Sequence, residues 1–226
     1  MTEVLSLRDT YLFSWSARII EACNEEHGDS LILDQTLFYP QWWGQPSDIG
    51  ILSNEVCLFR VTKVRLDEQG IVSHSGVYES WRFEVGMTVT MHIDEARRLQ
   101  NARNHSAGHL IDVAMKHIGY HHLKPTKWHH FPDGCYVEYQ WRLDDDITDR
   151  LQAEVERLIA EDIRVIVTTD TTLRSPIGKI PRYVAFDGYE WCGCGGTHVR
   201  SSLEIGSIII RKIKSKDDTV KVSYSV

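Results

Sequence analysis

The alternation of apolar and polar residues predicts β-strands through about the first 93 residues. Segments 11–23, 30–33, 56–64, 71–75 and 86–93 are rich in β-branched and aromatic residues. In the last of these, Met87, Val89, Met91 and Ile93 share one face. A turn at 24–28 joins the first two strands, and a turn at 67–70 indicates a hairpin. Short strands at this spacing are typical of a small β-barrel.

The pattern changes after residue 93, where we place a domain boundary. Asp94 can cap a helix that runs from Glu95 to Ile118 and ends at Gly119. A second, amphipathic helix is predicted over 144–162. Strands are predicted over 135–143, 163–169, 183–186, 205–213 and 219–224, and an ordered loop is predicted over 124–134. The chain is therefore expected to be α+β, with a small N-terminal β-barrel in residues 1–93 and an α+β domain in residues 94–226.

The composition is that of a globular protein, with 226 residues, 42% hydrophobic residues and a net charge of −7. This charge argues against non-specific coating of nucleic acid, but it leaves room for a local basic face. Five cysteines at scattered positions suggest a reducing compartment. With no signal peptide and no apolar run of about 18–20 residues, we expect a cytoplasmic protein.

Two short motifs suggest chemistry. His105 and His109 share one face of the predicted helix, because residues four apart are neighbours there. Cys194 and His198 have the same spacing, but Gly195-Gly196 between them favours a loop. Together the four side chains form a suitable tetrahedral set for Zn²⁺. Ser106 occupies the place of the general base in a His-Glu-x-x-His metalloprotease, so peptidase chemistry has no obvious base.

These motifs resemble the editing domain of alanyl-tRNA synthetases and the free-standing AlaX-type editing proteins. Further matches are Phe38-Tyr39-Pro40, Gly44-Gln45-Pro46-Ser47-Asp48, Phe131-Pro132-Asp133-Gly134 and Leu203-Glu204-Ile205-Gly206. The resemblance implies a β-barrel followed by an α+β two-layer editing domain that binds zinc. It implies hydrolysis of mischarged alanine tRNA in trans, chiefly of the seryl ester and also of the glycyl ester. The short chain leaves no room for an aminoacylation domain, which favours the free-standing form.

The resemblance also implies roles for individual residues. His105, His109, Cys194 and His198 would be the zinc ligands. Ser106 would contact the serine hydroxyl, and the catalytic surroundings would include Thr126, Lys127 and the backbone amides of Gly195 and Gly196. Gln45, Trp42, Trp43 and Arg103 would contact substrate. The chain departs from the family where Trp42-Trp43 replaces two glycines and where Gly108 replaces a bulkier residue, which would widen the pocket.

Several alternatives remain open at this stage. Trp42-Trp43 would either cap the core or stack on a nucleotide. Four protein ligands describe a closed zinc site, so either one ligand is loose, the metal expands to five ligands, or zinc only orients substrate. The alternatives to a deacylase are a structural-zinc RNA-binding module without turnover and a zinc hydrolase acting on a small ester or amide. The candidate tRNA-binding residues are Arg97, Arg98, Lys124, Lys127, Arg200, Arg211, Lys212, Lys214 and Lys216.

Overall fold

The computed structural model describes residues 2–25, 28–141, 143, 145–170 and 182–226. The chain divides into two compact units. The first unit comprises Met1–Trp42 and Pro46–Leu99, and the second comprises Trp43–Gln45 and Gln100–Val226. Compared with the predicted boundary near residue 93, the division falls slightly later, and the segment Trp43–Gln45 is part of the second unit.

The first unit contains a closed antiparallel barrel of six strands, which confirms the predicted small barrel. The strand order is β2-β3-β7-β6-β5-β8. The strands are β2 (Ser14–Glu25), β3 (Gly28–Leu33), β5 (Gly50–Ser53), β6 (Leu58–Leu66), β7 (Val72–Tyr78) and β8 (Thr88–Ile93). A separate parallel pair is formed by β1 (Glu3–Val4) and β4 (Gln35–Thr36), and a 3-10 helix spans Leu5–Leu7.

The barrel core follows the alternation seen in the sequence. In β8, Val89, Met91 and Ile93 are buried while Thr88 and His92 are exposed, because successive side chains of a strand point to opposite faces. The first barrel strand begins at Ser14, three residues after the predicted start at Tyr11. The predicted turn at 24–28 lies partly outside the described residues.

The second unit combines helices with two sheets, which confirms the α+β class. Helix α1 (Glu95–Met115) begins in the first unit and continues as a π-turn over Lys116–Tyr120, and α2 is Thr148–Ala160. One sheet has the order β14-β15-β10-β9, and the other has the order β11-β12-β13. These strands are β9 (Lys124–His129), β10 (Cys135–Gln140), β11 (Val165–Thr168), β12 (Tyr183–Phe186), β13 (Cys192–Gly193), β14 (Ile209–Lys216) and β15 (Thr219–Ser225), and a 3-10 helix spans Ser202–Ile205.

Both helices share one apolar core with the four-stranded sheet. Leu110 of α1 and Leu151 of α2 are fully buried, and Val137 of β10 and Val222 of β15 join them in the same cluster. Complete burial of such side chains stabilises the fold by about 1.5–3 kcal/mol each. This packing holds in place the part of α1 that belongs to the second unit, which carries His105 and His109.

Three predicted elements of this region are wrong in detail. The predicted loop over 124–134 contains β9, whose hydrogen-bonding partner β10 comes later in the chain. Helix α2 is shorter than the predicted 144–162, and residue 144 lies outside the described residues. The strand predicted over 205–213 begins only at Ile209, because Ile205 ends the preceding 3-10 helix.

Candidate metal centre

Four side chains from α1 and from the loop after β13 converge at one buried point. The ligand atoms of His105, His109, Cys194 and His198 all lie within 4.8 Å of one another. Cys194 Sγ is 3.2 Å from Nε2 of His105 and 3.3 Å from Nε2 of His198. All four residues are buried, so the two motifs predicted to share an ion do meet.

The donor set fits a tetrahedral zinc ion. With Zn–N of about 2.0–2.1 Å and Zn–S of about 2.3 Å, neighbouring ligand atoms of a tetrahedron lie about 3.3–3.6 Å apart. The two Sγ–Nε2 separations, 3.2 Å and 3.3 Å, lie just below this range and at its lower limit. Three imidazoles and one thiol also match the ligand preference of Zn²⁺. This arrangement could hold one ion without any change of fold.

Burial prepares the imidazoles for binding a metal. It lowers the pKa of His105 and His198 well below the usual value, and it lowers the pKa of His109 to about 4. The three rings are therefore neutral at pH 7, which is the form that binds a metal. Burial raises the pKa of Cys194 to about 11, so this thiol needs a neighbouring cation to ionise. Metal binding supplies such a cation, and Arg182 contributes a smaller effect in the same direction.

Gln45 orients the ring of His105. Its Oε1 accepts hydrogen bonds from the backbone N–H of Thr197 (3.1 Å) and from Nδ1 of His105 (2.9 Å). Because a backbone N–H can only donate, the amide oxygen must be the atom that faces His105. Nδ1 then carries the proton, and Nε2 presents its lone pair toward Cys194. Gln45 was predicted as a substrate contact, and the structure places it, fully buried, behind a ligand.

Ser106 is hydrogen-bonded to the ring of the candidate ligand His198. Its Oγ accepts the N–H of Val199 and lies 3.2 Å from Nδ1 of His198. The side chain is fully buried, and it is not among the residues that line the cavity described below. Its predicted contact with a serine hydroxyl stays a prediction.

The two glycines of the second motif make room for two rings. A Cβ on Gly196 would lie 2.1 Å from Cε1 of His105, and a Cβ on Gly195 would lie 2.2 Å from Nε1 of Trp43. The N–H of Gly196 donates to Cys194 Sγ at 3.3 Å, which lowers the pKa of that thiol. This amide is therefore directed at a ligand atom, and its predicted role as an oxyanion donor is untested, as is that of Gly195.

A cavity of about 220 Å³ adjoins the metal centre. It is lined by His105, His109, Cys192, Gly193 and Cys194 together with Trp43, Gly44, Thr126, Lys127 and Trp128. Three residues predicted from sequence, Trp43, Thr126 and Lys127, thus lie beside the candidate ligands. Thr126 and Lys127 belong to β9, not to a loop. A second cavity of about 370 Å³ shares His109 and Cys192 with the first and is also lined by Asp112 and Tyr139.

Other predicted site residues lie elsewhere. Trp42 belongs to the first unit, where it is exposed and its carbonyl accepts a hydrogen bond from Tyr39. Arg103 is exposed on α1 and donates to the carbonyl of Glu204. Arg98, one of the candidate tRNA-binding residues, is fully buried in an ion pair with Asp48, so the prediction that it contacts tRNA is wrong.

His130 is a neighbour of the metal centre that the sequence did not reveal. Its ring centroid lies 4.3 Å from that of His105, and its Nδ1 bonds to the hydroxyl of Tyr224 at 2.8 Å. Any side chain at position 108 would collide with this ring, since a Cβ on Gly108 would lie 2.5 Å from Cε1 of His130. The expectation that Gly108 widens the pocket is therefore wrong, because His130 fills the space.

Comparisons with known proteins find similarity to tRNA synthetases and to an alanyl-tRNA editing protein. A family model described as class II (A) tRNA synthetases matches residues 9–97, and one described as the second additional domain of threonyl and alanyl tRNA synthetases matches residues 182–221. The chain is 25% identical over its full length to the alanyl-tRNA editing protein AlaX-L of Pyrococcus horikoshii, and it spans 58% of that protein. It is 29% identical to alanine–tRNA ligases of Alkaliphilus oremlandii and Bacillus subtilis, over 85% and 84% of this chain and 23% of each ligase.

These matches show that the chain is similar to parts of alanyl-tRNA synthetases. More particularly, they confirm the predicted resemblance to AlaX-type editing proteins. The chain spans little more than half the length of the editing protein that it matches. Within the described residues, no helix is long and apolar enough to cross a membrane.

Proposed function

We propose that this chain is a zinc-dependent aminoacyl-tRNA deacylase that hydrolyses the ester joining a wrong amino acid to alanine tRNA. Serine is the chief amino acid proposed, with glycine as a second candidate. The proposal rests on one observation above all, which is that a buried set of three histidines and one cysteine adjoins a cavity of about 220 Å³. The similarity to a protein named for alanyl-tRNA editing supports the choice of substrate.

The proposed zinc site consists of His105, His109, Cys194 and His198, in a domain where two helices pack on a sheet. When bound, zinc would act as a Lewis acid toward the ester carbonyl or toward a water molecule. The protein holds Nε2 of His105 and of His198 toward this point through Gln45 and Ser106. These hydrogen bonds hold both rings in one orientation, and Gln45 also sets the tautomer of His105.

The cavity would receive the aminoacyl group. Trp43 and Trp128 give it apolar walls, whereas Thr126 and Lys127 bring a hydroxyl and an ammonium group to its lining. To accept serine and reject alanine, the site needs a polar contact with the extra hydroxyl, because a pocket that fits serine also fits alanine. Ser106 and Thr126 are the two hydroxyl residues proposed for this contact. The amides of Gly195 and Gly196 are the proposed oxyanion donors, and that of Gly196 would have to exchange its hydrogen bond to Cys194 for one to the substrate.

One assay tests the proposal. Alanine tRNA charged with serine and alanine tRNA charged with alanine are each incubated with the zinc-loaded protein, with and without a chelator. The amount of remaining ester is then measured. We expect rapid loss of serine, slow loss of alanine, and inhibition by the chelator. The variant His109→Ala should lose both zinc and activity, and His92→Ala, an exposed histidine of β8, is the matched control. Serine that stays on the tRNA at the uncatalysed rate, with zinc confirmed as bound, would reject the proposal.

The closed ligand set favours a second candidate, a structural-zinc RNA-binding module without turnover. It predicts that the zinc-loaded protein binds tRNA but leaves both esters intact, and that His109→Ala unfolds the second unit. A zinc hydrolase acting on a small ester would instead cleave such esters without any tRNA. The proposed partner is the mischarged alanine tRNA, and the cytoplasmic location stays a prediction.

A further inference from the structure

We propose that the outer face of the sheet β14-β15-β10-β9 binds the single-stranded 3′ end of the tRNA. This inference rests on the proposed function for its ligand, but it is carried by a separate set of residues. It narrows the candidate tRNA-binding residues to one surface of the second unit. It also names the part of the tRNA that this surface would contact.

Strand register brings lysines from three of the four strands, β14, β15 and β9, to the same face as Tyr136 and Glu138 of β10. One row across the sheet is Lys212, Ser223, Tyr136 and His129, the next is Lys214, Lys221, Glu138 and Lys127, and the third is Lys216, Thr219, Gln140 and Lys124. The intervening residues Val137, Tyr139, Val220 and Val222 are buried on the other face, which packs on the helices. These three rows are the basic sheet face.

The charge of the basic sheet face is opposite to that of the chain. Its rows hold six lysines and one glutamate, whereas the whole chain has a net charge of −7. Lys214 and Lys221 are directly opposite each other on neighbouring strands, and Glu138 lies opposite Lys221 on its other side. One glutamate cannot offset three lysines, so this row keeps a net positive charge that favours a bound anion. A row of phosphates spaced along a nucleic-acid strand is such an anion.

Aromatic rings at one corner of the face favour a single strand over a duplex. Phe131 and His129 stack with centroids 4.6 Å apart and planes at 16°, and His129 and Tyr136 stack at 5.1 Å and 19°. Nζ of Lys221 lies 3.4 Å from the centroid of Tyr136, and Nζ of Lys127 lies 5.8 Å from it. Aromatic rings interleaved with lysines are typical of surfaces that bind unpaired nucleotides, whose bases are free to stack.

The basic sheet face is continuous with the proposed active site. Lys127 belongs to its second row and also lines the 220 Å³ cavity beside the metal centre. Thr126, which precedes Lys127 in β9, lines the same cavity. The ester to be hydrolysed is at the 3′ end of the tRNA, so the nucleotides just before it must lie close to the cavity. The basic sheet face offers those nucleotides phosphate partners and rings.

The experiment compares two double variants of the full chain. Lys214→Gln with Lys221→Gln removes two charges from the basic sheet face, and Lys63→Gln with Arg65→Gln removes two charges from β6 in the first unit. Binding of a labelled single-stranded RNA ending in CCA is measured by fluorescence anisotropy at several salt concentrations, in parallel with a duplex RNA of equal length. Thermal melting of each variant is recorded as a test of folding.

We expect the first double variant to bind the single strand about tenfold more weakly at low salt. The plot of log binding constant against log salt concentration should become less steep by about 1.4, since each phosphate contact to a single strand contributes about 0.7 to its slope. Its melting temperature should change little, because relief of the like-charge pair offsets the loss of the contacts of Lys221 with Tyr136 and Glu138. The control should bind as the wild type does. Phe131→Ala, at the end of the stack whose middle ring is His129, should weaken binding of the single strand more than binding of the duplex.

Three results would overturn the proposal. The first is unchanged binding by the Lys214 and Lys221 variant, and the second is an equal loss in the control. The third is displacement of the RNA by polyglutamate of equal charge as readily as by unlabelled RNA, which would indicate a general anion surface. Wild-type deacylation is measured on the same preparations. An inactive wild type that still binds RNA through this face would reject the proposed function alone.

Discussion

Gln45 and His105 are 60 positions apart in the chain, and Oε1 of the first accepts a hydrogen bond of 2.9 Å from Nδ1 of the second. The same oxygen holds the backbone N–H of Thr197, next to the ligand His198. One buried amide therefore organises both halves of the metal centre. Substitution of a residue that hydrogen-bonds to a metal ligand commonly lowers the metal affinity.

We predict that Gln45→Ala lowers zinc affinity by about 10–100-fold, because the His105 ring loses the acceptor that fixes its tautomer. The affinity is measured by competition with a chelator of known strength. Gln41→Ala, which changes an exposed glutamine near the same segment, is the control. Equal zinc affinity in the two folded variants would show that Gln45 does not support the site.

The two glycines of the second motif should respond differently to alanine. Gly196→Ala places a methyl group against His105, so we expect loss of zinc binding and a stability loss of about 1–3 kcal/mol. Gly195→Ala displaces Trp43 instead, so zinc should remain bound while deacylation falls by at least tenfold.

The measurements on these two variants are zinc content by mass spectrometry, stability by denaturation, and deacylation rate. Gly134→Ala is the matched control, since its Cβ position has nothing within 4 Å. If Gly196→Ala bound zinc as the wild type does, the close packing of this glycine on His105 would not be required for the site.

The buried ion pair of Arg98 and Asp48 should contribute to stability and not to RNA binding. The guanidinium also donates to the carbonyls of Thr10 and Leu37. Arg98→Leu would leave the Asp48 carboxylate buried without a counter-charge, which costs about 3–5 kcal/mol. Chemical denaturation measures this loss, and Arg65→Ala on the exposed face of β6 is the control. A loss of less than 1 kcal/mol would contradict the expected role of the pair.

Asp112 should make stability depend on pH. Burial raises the pKa of Asp112 to about 6, against the smaller opposing effects of hydrogen bonds from Tyr139 and Trp128. Between about pH 4 and pH 6 the folded chain keeps a proton that the unfolded chain releases. The stabilisation is therefore complete below about pH 4 and is lost as the pH rises through 6.

The test compares the wild type with Asp112→Asn, which keeps an acceptor for Tyr139 but does not titrate. From pH 4 to pH 7 the wild type should lose on the order of 2 kcal/mol relative to the variant. The free energy of unfolding is measured by urea titration at each pH. A difference between the two proteins that stays constant over this range would show that Asp112 does not titrate with a raised pKa.

Local pattern was sufficient for much of the architecture. The alternation of Val89, Met91 and Ile93 predicted which face of β8 is buried, and the four-residue spacing of His105 and His109 placed both on one side of α1. Both inferences depend only on the fixed period of a strand or a helix. The loop predicted over 124–134 failed for the opposite reason. Strand β9 is defined by hydrogen bonds to β10, and Pro125 and the following polar residues give little local sign of it.

The sequence by itself determined which atoms could bind a metal, because the residue types and their spacing set the donors. Only the tertiary structure decided that the four donors meet, that Gln45 orients one of them, and that His130 fills the space over Gly108. It also placed Arg98 in the core and gathered lysines from three strands on one face. These relationships join residues that are far apart in the chain, and no local period connects such residues. They follow from the packing of helices on a sheet, which brings distant segments within hydrogen-bonding distance.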